Sequence, residues 1–341
     1  MAKLLTVITS TYNKGDRNRN SIQSVLDQSF TNFDYIIVDD GSTDQTKSIL
    51  EEFTDPRIIF FHQENKGFTN TMISVMNQVE TPFVAIQGAG DISFPTRFEK
   101  QIECLQNRLD VGVVACNKCT SLIRSNVNVP RSEFSETIEY NSVHQMIDKN
   151  IVNHGEAMIR MSAYRDAGGY RPFFRYTQDR DLWLRILEKY SIVRLGSNLY
   201  QKVIEPKTDI CGNFKRTEHQ ALYSMFALFL ARERLSGRPD PLDVKGAESF
   251  VEFIHNLDKS EKQEVARRIY NSINLNKNNI DEALAIILYY DPNHQGARSI
   301  QKKLLIERNI PHLKKIYSVT GKLNRILTRG KRMGRKLIYR S

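Results

Sequence analysis

Two adjacent aspartates, Asp39 and Asp40, end the apolar run Tyr35–Val38 and are followed by a glycine and a Ser-Thr-Asp segment. An unbroken β-branched run is typical of a buried parallel strand, and the residues after it are those of a turn and a helix start. Open α/β folds bind their ligands at the carboxyl edge of the sheet. The sequence therefore predicts that acid groups are delivered to a binding edge.

A third carboxylate, Asp179, begins a segment with helical spacing that we predict to run from about Asp179 to Tyr190. Its apolar face is formed by Leu182, Trp183, Ile186 and Leu187. The partial positive charge at a helix start favours the ionised carboxylate, which can then accept a proton. Asp181 lies in the same first turn, and the residues alone leave the choice between the two open.

The elements that must position these groups follow a regular order, since strand-like segments alternate with helical spacings between residues 3 and 116. The strand segments are Leu4–Thr9, Tyr35–Val38, Ile58–His62, Phe83–Ile86 and Val111–Cys116. Such alternation predicts a parallel sheet with helices on both faces. Residues 117–210 are less regular, whereas residues 217–310 read as mostly helical, with a hairpin broken at Asp291-Pro292.

Composition excludes several classes of protein. At 341 residues the chain can bury a sizeable core, and its four cysteines are too few and scattered for a disulfide framework or a four-cysteine zinc site. The amino terminus lacks a secretion signal, and the longest apolar run, Ala283–Tyr290, is too short to cross a bilayer. We therefore expect a cytoplasmic protein.

The net charge of +10 is a property of the carboxyl-terminal end, because Ala297–Ser341 holds 14 Lys/Arg and one Glu. Residues 312–340 carry ten Lys/Arg and no acid, interleaved with apolar side chains. This pattern predicts peripheral contact with an anionic membrane, at the inner face of the cell membrane. A solvated end is the alternative, because three glycines interrupt the segment. Nucleic-acid binding is not expected, since no recognition fold accompanies the charge.

Six segments carry a family resemblance through their order and spacing. They are Val7–Asn13, Ser24–Phe30, Val38–Ser42, Glu64–Gly67, Asp91–Arg97 and Gln178–Arg185. Together they resemble the family 2 inverting glycosyltransferases with the GT-A fold, over about residues 3–215. The resemblance implies a Rossmann-like GT-A domain at residues 1–215. We place a mainly α-helical region at 216–310 and the basic amphipathic tail at 311–341.

The resemblance further implies hexosyl transfer, the EC 2.4 class, from a nucleotide-sugar donor, usually a uridine diphosphate sugar. The acceptor would be a saccharide or lipid-linked molecule in surface glycan, glycoprotein or capsule biosynthesis. Tyr12 would stack on the base, Asp40 would accept its imide hydrogen, and Asp179 would be the catalytic base. The positions that match donor-binding residues are Thr9, Tyr12, Asp40, Lys66, Asp91 and Gly155.

One departure from the family concerns the metal. Members normally have an Asp-x-Asp after the fourth strand, whose second aspartate binds Mn²⁺ or Mg²⁺, and here Gly88 and Gly90 stand at those positions. Three explanations stay open: cations replace the metal, Asp91 binds a metal alone, or catalysis is lost and the protein is a nucleotide-sugar-binding or scaffolding protein. The candidate cations for the leaving diphosphate are Lys66, Arg171, Lys215 and Arg216.

Overall fold

The computed structural model describes residues 2–122, 125–129, 136–148, 152–204, 214–272 and 280–309. The chain divides into two compact units. The first comprises Met1–Cys211 with His219–Asn256, and the second comprises Gly212–Glu218 with Leu257–Ser341. The domain limits at 215 and 310 stay predictions.

Ten strands form one sheet. They are β1 Leu5–Thr11, β2 Phe33–Asp40, β3 Ile58–Gln63, β4 Phe83–Ile86, β5 Ile92–Ser93, β6 Val111–Leu122, β7 Ser125–Val129, β8 Ile138–Tyr140, β9 Met158–Arg160 and β10 Ser191–Ile204. The strands that the sequence predicts are confirmed, and most extend a few residues beyond the predicted limits.

The helices of the first part of the chain alternate with these strands. They are α1 Arg17–Leu26, α2 Thr46–Glu51, α3 Phe68–Met76, α4 Arg97–Asn107, α5 Val143–Asp148, α6 Met161–Asp166 and α7 Gln178–Ile186, with a 3-10 turn at His154–Glu156. The later helices follow without further strands. They are α8 Phe214–Leu235, α9 Pro241–Lys245, α10 Glu248–His255, α11 Lys259–Ser272, α12 Ile280–Tyr290 and α13 Gln295–Asn309.

The sheet has the strand order β3-β2-β1-β4-β9-β6-β10-β5, with β7 beside β6 and β8 beside β10. The pairs β3-β2, β2-β1, β1-β4 and β6-β10 are parallel, and β9 runs antiparallel between β4 and β6. The six principal strands therefore point the same way and share one carboxyl edge. This confirms the predicted fold class, a mostly parallel sheet in an α/β domain.

The core of the first unit explains why these segments become strands and helices. Alternate residues of β1 and β2, such as Leu5, Val7, Tyr35 and Ile37, lie in one apolar cluster with Ile22 and Val25 of α1 and Phe98 and Ile102 of α4. Burying β-branched and aromatic side chains between sheet and helix contributes about 1.5–3 kcal/mol each. The sheet edge is thereby held rigidly by its own interior.

Strand β10 is the main element that the sequence does not predict. It pairs with β6 from Ser191 to Ile204, and its register shifts at Leu195/Asn198 and Asn198/Tyr200. The shifts coincide with Gly196-Ser197-Asn198, which are residues typical of a turn. The sequence pattern therefore shows two short strand fragments in place of one long strand. Its end also pairs antiparallel with β5, with Tyr200 opposite Ser93 and Gln201 opposite Ile92.

The described residues of the second unit are mostly helical, as predicted. Helices α12 and α13 form the hairpin, broken at Asp291-Pro292, and the buried side chains of α11 and α12 include Val265, Ile269 and Leu284. In the described part of the chain, every helix is too short or too polar to serve as a membrane span. The basic segment 312–340 lies outside the described residues.

Candidate active site

The loops that leave β1 and β2 are joined at the carboxyl edge. Thr11 is paired with Asp39, so Tyr12 follows beside Asp40. The amide of Asn13 donates to Ser42 Oγ at 2.9 Å, and the amide of Thr43 donates to Asn13 Oδ1 at 2.8 Å. Tyr12 is 47% exposed, so its ring is available to a flat ligand.

Asp40 is a buried anchor for the next loop. Its Oδ1 accepts hydrogen bonds from Gln63 Nε2, the Lys66 amide and Thr71 Oγ1 at 2.8–3.0 Å, and its Oδ2 accepts from the Gly67 amide at 3.0 Å. A carboxylate has about four lone-pair sites, so one on Oδ2 is left for a base. The geometry thus allows one hydrogen bond to an imide and explains why the loop at 66–67 approaches this edge.

Two further residues predicted to bind the donor, Thr9 and Lys66, differ in their exposure to solvent. The hydroxyl of Thr9 is buried, donates to the carbonyl oxygen of Gln87 at 3.1 Å and shares a 2.9 Å hydrogen bond with Tyr35. Lys66 presents its amide to Asp40 and has an exposed side chain. The Thr9 hydroxyl therefore joins β1 to its neighbours inside the protein, whereas the side chain of Lys66 is exposed to solvent.

The first glycine of the motif, Gly88, lies against a tyrosine from β10. The hydroxyl of Tyr200 accepts from the Gly88 amide at 3.0 Å and donates to Asp91 Oδ2 at 2.7 Å. The other carboxylate oxygen of Asp91 accepts from the Val203 amide at 2.9 Å. Burial raises the pKa of Asp91, and the hydrogen bonds from Val203 and Tyr200 partly offset that rise.

Only glycine fits beside this tyrosine. A Cβ at Gly88 would lie 2.5 Å from Asp91 Oδ2 and 2.8 Å from the Tyr200 hydroxyl oxygen. A Cβ at Gly155, in the 3-10 turn, would lie 2.5 Å from the same hydroxyl oxygen. Since these distances are too short for real Cβ contacts, a side chain at either position would displace Tyr200 or, at position 88, also Asp91.

The divalent metal that the resemblance implies does not fit these residues. Gly88 has no side chain, and a Cβ at Gly90, whose φ is +85°, would lie 2.9 Å from Arg17 Nε. Nowhere in the described residues do three His, Cys, Asp or Glu side chains come together as a metal-binding group. The proposal of Asp91 as a sole metal ligand gains no support, because both of its oxygens already accept protein hydrogen bonds.

Asp179 lies in the first turn of α7. The helix starts one residue earlier than predicted and ends at Ile186, after Thr177 takes a left-handed conformation with φ of 54°. Asp179 Oδ1 accepts from the Arg180 amide at 2.9 Å. Burial raises the pKa of Asp179, and this amide together with the charges of Arg180 and Lys202 partly offsets the rise.

Lys202, on β10, connects the two acid groups of the site. Its positive charge acts on the carboxylates of both Asp91 and Asp179 and favours their ionised forms, so it lowers each pKa against the larger effect of burial. Both carboxylates are therefore within electrostatic reach of this exposed lysine. Neither Tyr200 nor Lys202 is predicted from the sequence.

An aromatic group lies next to Asp179. His154 Nε2 shares a 2.5 Å hydrogen bond with the hydroxyl of Tyr170, and its ring contacts Phe68 edge-on at 5.3 Å. Burial lowers the pKa of His154 to about 3, so the imidazole is neutral. The charge of Asp179 adds to the burial that raises the pKa of Tyr170. The side chains of His154 and Tyr170 are thus uncharged.

The residues predicted to bind phosphate, besides Lys66, are Arg171, Lys215 and Arg216, and they differ in their partners and in the unit to which they belong. Arg171 is bonded to Asp181 and to Asp240, the latter at 2.9 Å. Because its guanidinium serves carboxylates of the protein, the geometry opposes a phosphate role for it. Lys215 and Arg216 belong to the second unit, and Lys215 lies 3.5 Å from Glu282. Their predicted role beside a donor stays a prediction.

Comparison with known proteins agrees with this architecture. Staphylococcus aureus TarS 1–349 in complex with UDP-GlcNAc superposes with a TM-score of 0.52 at 15% identity, covering 89% of this chain and 91% of that one. The mannosyltransferase PcManGT of Pyrobaculum calidifontis, with GDP-Man and Mn²⁺, gives 0.51 at 15% identity, covering 89% and 84%. Against a longer TarS chain the coverage is 55% of that chain. The chain therefore has the fold of these proteins, the GT-A fold.

Sequence comparison gives the family. Residues 6–168 match the family model described as glycosyl transferase family 2. A Bacillus subtilis protein named as a glycosyltransferase, EpsE, is 27% identical over 237 residues, 68% of this chain and 82% of EpsE. TuaG of the same organism, named as a teichuronic acid biosynthesis glycosyltransferase, is 29% identical over 191 residues, 54% of this chain and 73% of TuaG. Over residues 6–168 the chain is therefore similar to glycosyl transferase family 2, and this match together with the names of the relatives indicates a glycosyltransferase enzyme.

Proposed function

We propose that this glycosyltransferase moves a sugar from a uridine diphosphate donor to a hydroxyl group of a saccharide or lipid-linked acceptor, with inversion at the anomeric carbon. The product would belong to a cell-surface glycan, glycoprotein or capsule. The UDP-GlcNAc in the TarS complex supports the donor class, and the name of TuaG supports the acceptor class. The observation that carries the proposal is the half-buried Asp179 in the first turn of α7, where burial raises the pKa of its carboxyl group.

The base-binding part of the proposal depends on the edge formed by β1 and β2. Tyr12 presents its ring beside Asp40, whose remaining acceptor position is on Oδ2. A pyrimidine needs a flat apolar surface and an acceptor for its imide hydrogen, and these two residues supply both. Uridine is therefore the base that we propose, and binding of UDP against GDP tests it.

The transfer step is one in-line displacement. The acceptor oxygen forms a bond to the anomeric carbon as the bond from that carbon to the diphosphate oxygen breaks, and the diphosphate leaves with the electron pair. Asp179 takes the proton from the acceptor hydroxyl. The raised pKa of Asp179 makes it a stronger base than an ordinary aspartate, and general base catalysis typically contributes 10²–10⁴-fold.

The test is release of UDP from a panel of uridine diphosphate sugars with candidate acceptors. For Asp179→Asn we expect a loss of about 10²–10⁴ in turnover, because the acceptor proton then has no base. Its affinity for UDP should stay within about twofold of the wild type, since Asp179 is proposed to act on the acceptor.

Glu99→Gln is the matched control, because Glu99 is an exposed acid in the first turn of α4 and should keep full turnover. Equal rates for wild type and Asp179→Asn, both well above background, would contradict the assignment of the base. Tight UDP binding with no turnover in any condition would instead support the noncatalytic nucleotide-sugar-binding alternative.

A further inference from the structure

The end of strand β10 wraps around Asp91. Gln201 is paired with Ile92, so Lys202 is next in register, opposite Asp91, and the following amide, Val203, donates to Asp91 Oδ1 at 2.9 Å. Side chains two residues apart on a strand point to the same face of the sheet. Since the Tyr200 side chain reaches Gly88, Lys202 projects on that face as well.

We propose that Tyr200 and Lys202 together replace the divalent cation: the Tyr200 hydroxyl fills the space beside Gly88, at the first aspartate position of the family's metal motif, and the Lys202 ammonium group binds the diphosphate of the donor. The inference rests on the proposed function, because it names how that donor is held. It predicts that donor binding and transfer need no metal ion.

The hydroxyl of Tyr200 fills the space where metal-binding carboxylates would stand. A Mg²⁺ ion requires oxygen ligands at 2.0–2.1 Å in octahedral geometry. Here the Tyr200 oxygen lies 3.0 Å from the Gly88 nitrogen and 2.7 Å from Asp91 Oδ2, and Gly155 closes the opposite side. The loop is thus held by a neutral hydrogen-bond network.

The tyrosine is fixed from behind by a buried cation. The Arg97 guanidinium lies 4.9 Å from the centre of the Tyr200 ring and donates to Gln87 and to the carbonyl oxygen of Ile86. Burial raises the pKa of Tyr200 well above its usual value, so the hydroxyl keeps its proton and can donate to Asp91. The network is therefore ordered before any donor binds.

Lys202 has the position and the freedom that a phosphate ligand requires. It is exposed, and among the described residues it has no ion pair within 4.0 Å. It follows Gln201, which is paired with Ile92, so it lies at the level of Asp91, and its charge favours the ionised forms of Asp91 and Asp179. A lysine ammonium is a compact charge with three donors, suited to the oxygens of a leaving diphosphate.

The test is calorimetric titration of the full chain with UDP and with UMP, each in EDTA and in excess Mn²⁺. Wild-type affinity for UDP should agree within about twofold between EDTA and Mn²⁺. Lys202→Gln should weaken UDP by about tenfold or more, with no recovery in Mn²⁺, and should change UMP by less than about threefold. Lys202→Arg should retain most of the affinity, because it keeps the charge.

Lys100→Gln is the matched control, since Lys100 is an exposed lysine on α4 and should bind UDP as the wild type does. Loss of UDP binding in EDTA with recovery in Mn²⁺ would overturn the inference, as would equal affinities for Lys202→Gln and Lys100→Gln. Failure of the wild type to bind UDP, UMP or GDP in any condition would instead overturn the proposed function on which the inference rests.

Discussion

Tyr200 shows how a single hydroxyl can settle the conformation of a loop. It satisfies the amide of Gly88 and one oxygen of Asp91, and neither partner has an equivalent group nearby to replace it. For Tyr200→Phe we expect a loss of about 1–3 kcal/mol in the free energy of unfolding, because a buried donor and a buried acceptor lose their partner. Denaturant unfolding followed by the fluorescence of Trp183, the single tryptophan, measures it.

Tyr12→Phe is the control for this change, since it removes a hydroxyl from a tyrosine that is 47% exposed. Its free energy of unfolding should stay within about 0.5 kcal/mol of the wild type. A Tyr200→Phe variant that is equally stable would show that the hydroxyl is dispensable for the loop.

The protonation of Asp179 sets an acid limit on activity. Its pKa is raised above 3.8 by burial, so kcat/KM should fall as the pH drops through that raised value, at a higher pH than for an ordinary aspartate. Lys202→Gln removes a positive charge that favours the ionised form of Asp179. The fall of kcat/KM on the acid side of the pH profile, its acid limb, should therefore move to higher pH. Lys202→Arg should leave the limb in place. A pH profile of UDP release measures all three, and an unmoved limb in Lys202→Gln would show that Lys202 does not act on Asp179.

Residue types near strand ends were predictable, but contacts over long sequence distances were not. The sequence identifies Tyr12, Asp40 and Asp179 because each adjoins a strand or helix with a clear pattern. It identifies Gly88 only because a glycine stands where the family has an aspartate. Tyr200 escapes prediction because its partner Gly88 is 112 residues away and nothing local marks it. Two glycines at metal positions are the one available signal, since the vacated space has to be filled.

At the scale of elements, helix α7 is held by a buried ion-pair cluster. Asp181 is bonded to Arg171 and Arg185, and Arg171 continues to Asp240 at the start of α9. For Arg171→Ala we expect a loss of about 3–5 kcal/mol in the free energy of unfolding, because buried carboxylates lose their partner. Denaturant unfolding followed by Trp183 fluorescence measures it.

Arg108→Ala is the matched control, because Arg108 also bonds two carboxylates, Asp110 and Glu139, but at the surface. Its cost should be about 0–1 kcal/mol. UDP affinity of folded Arg171→Ala should match the wild type. A large loss of UDP affinity without a loss of stability would restore the phosphate role that the sequence suggested for Arg171.

Elements with an uninterrupted pattern were predicted well, and β10 shows where the pattern fails. The parallel strands β1 to β4 are short apolar runs bounded by turn residues, so their periodicity is local. β10 contains Gly196-Ser197-Asn198 in its middle, and it is continuous only because β6 supplies hydrogen bonds on both sides of the register shifts. A strand that depends on its neighbour in this way is invisible to a local pattern.

At the scale of the whole molecule, the charge is divided between the body and the end of the chain. We expect binding to vesicles that contain anionic lipid and little binding to neutral vesicles, since each cation near the surface contributes about 1 kcal/mol. Replacing Lys331, Arg332, Arg335 and Lys336 by glutamine in the full chain should weaken anionic binding at least tenfold. Vesicle co-sedimentation at two salt concentrations measures it.

The outcome that would contradict this prediction is equal binding by wild type and variant, or binding that is insensitive to salt.

The fold class itself was predictable at this scale, because alternating strands and helices admit few arrangements. A helix whose residues fall in both units, as those of α8 do, was not predictable from the pattern.

The tight fit of Tyr200 between Gly88 and Gly155 also limits how this protein can change over generations. An aspartate returned to position 88 would collide with the tyrosine, and a smaller side chain at position 200 alone would leave an unfilled gap. The effects of substitutions at positions 88 and 200 are therefore expected to be coupled, so their changes in the free energy of unfolding should not add.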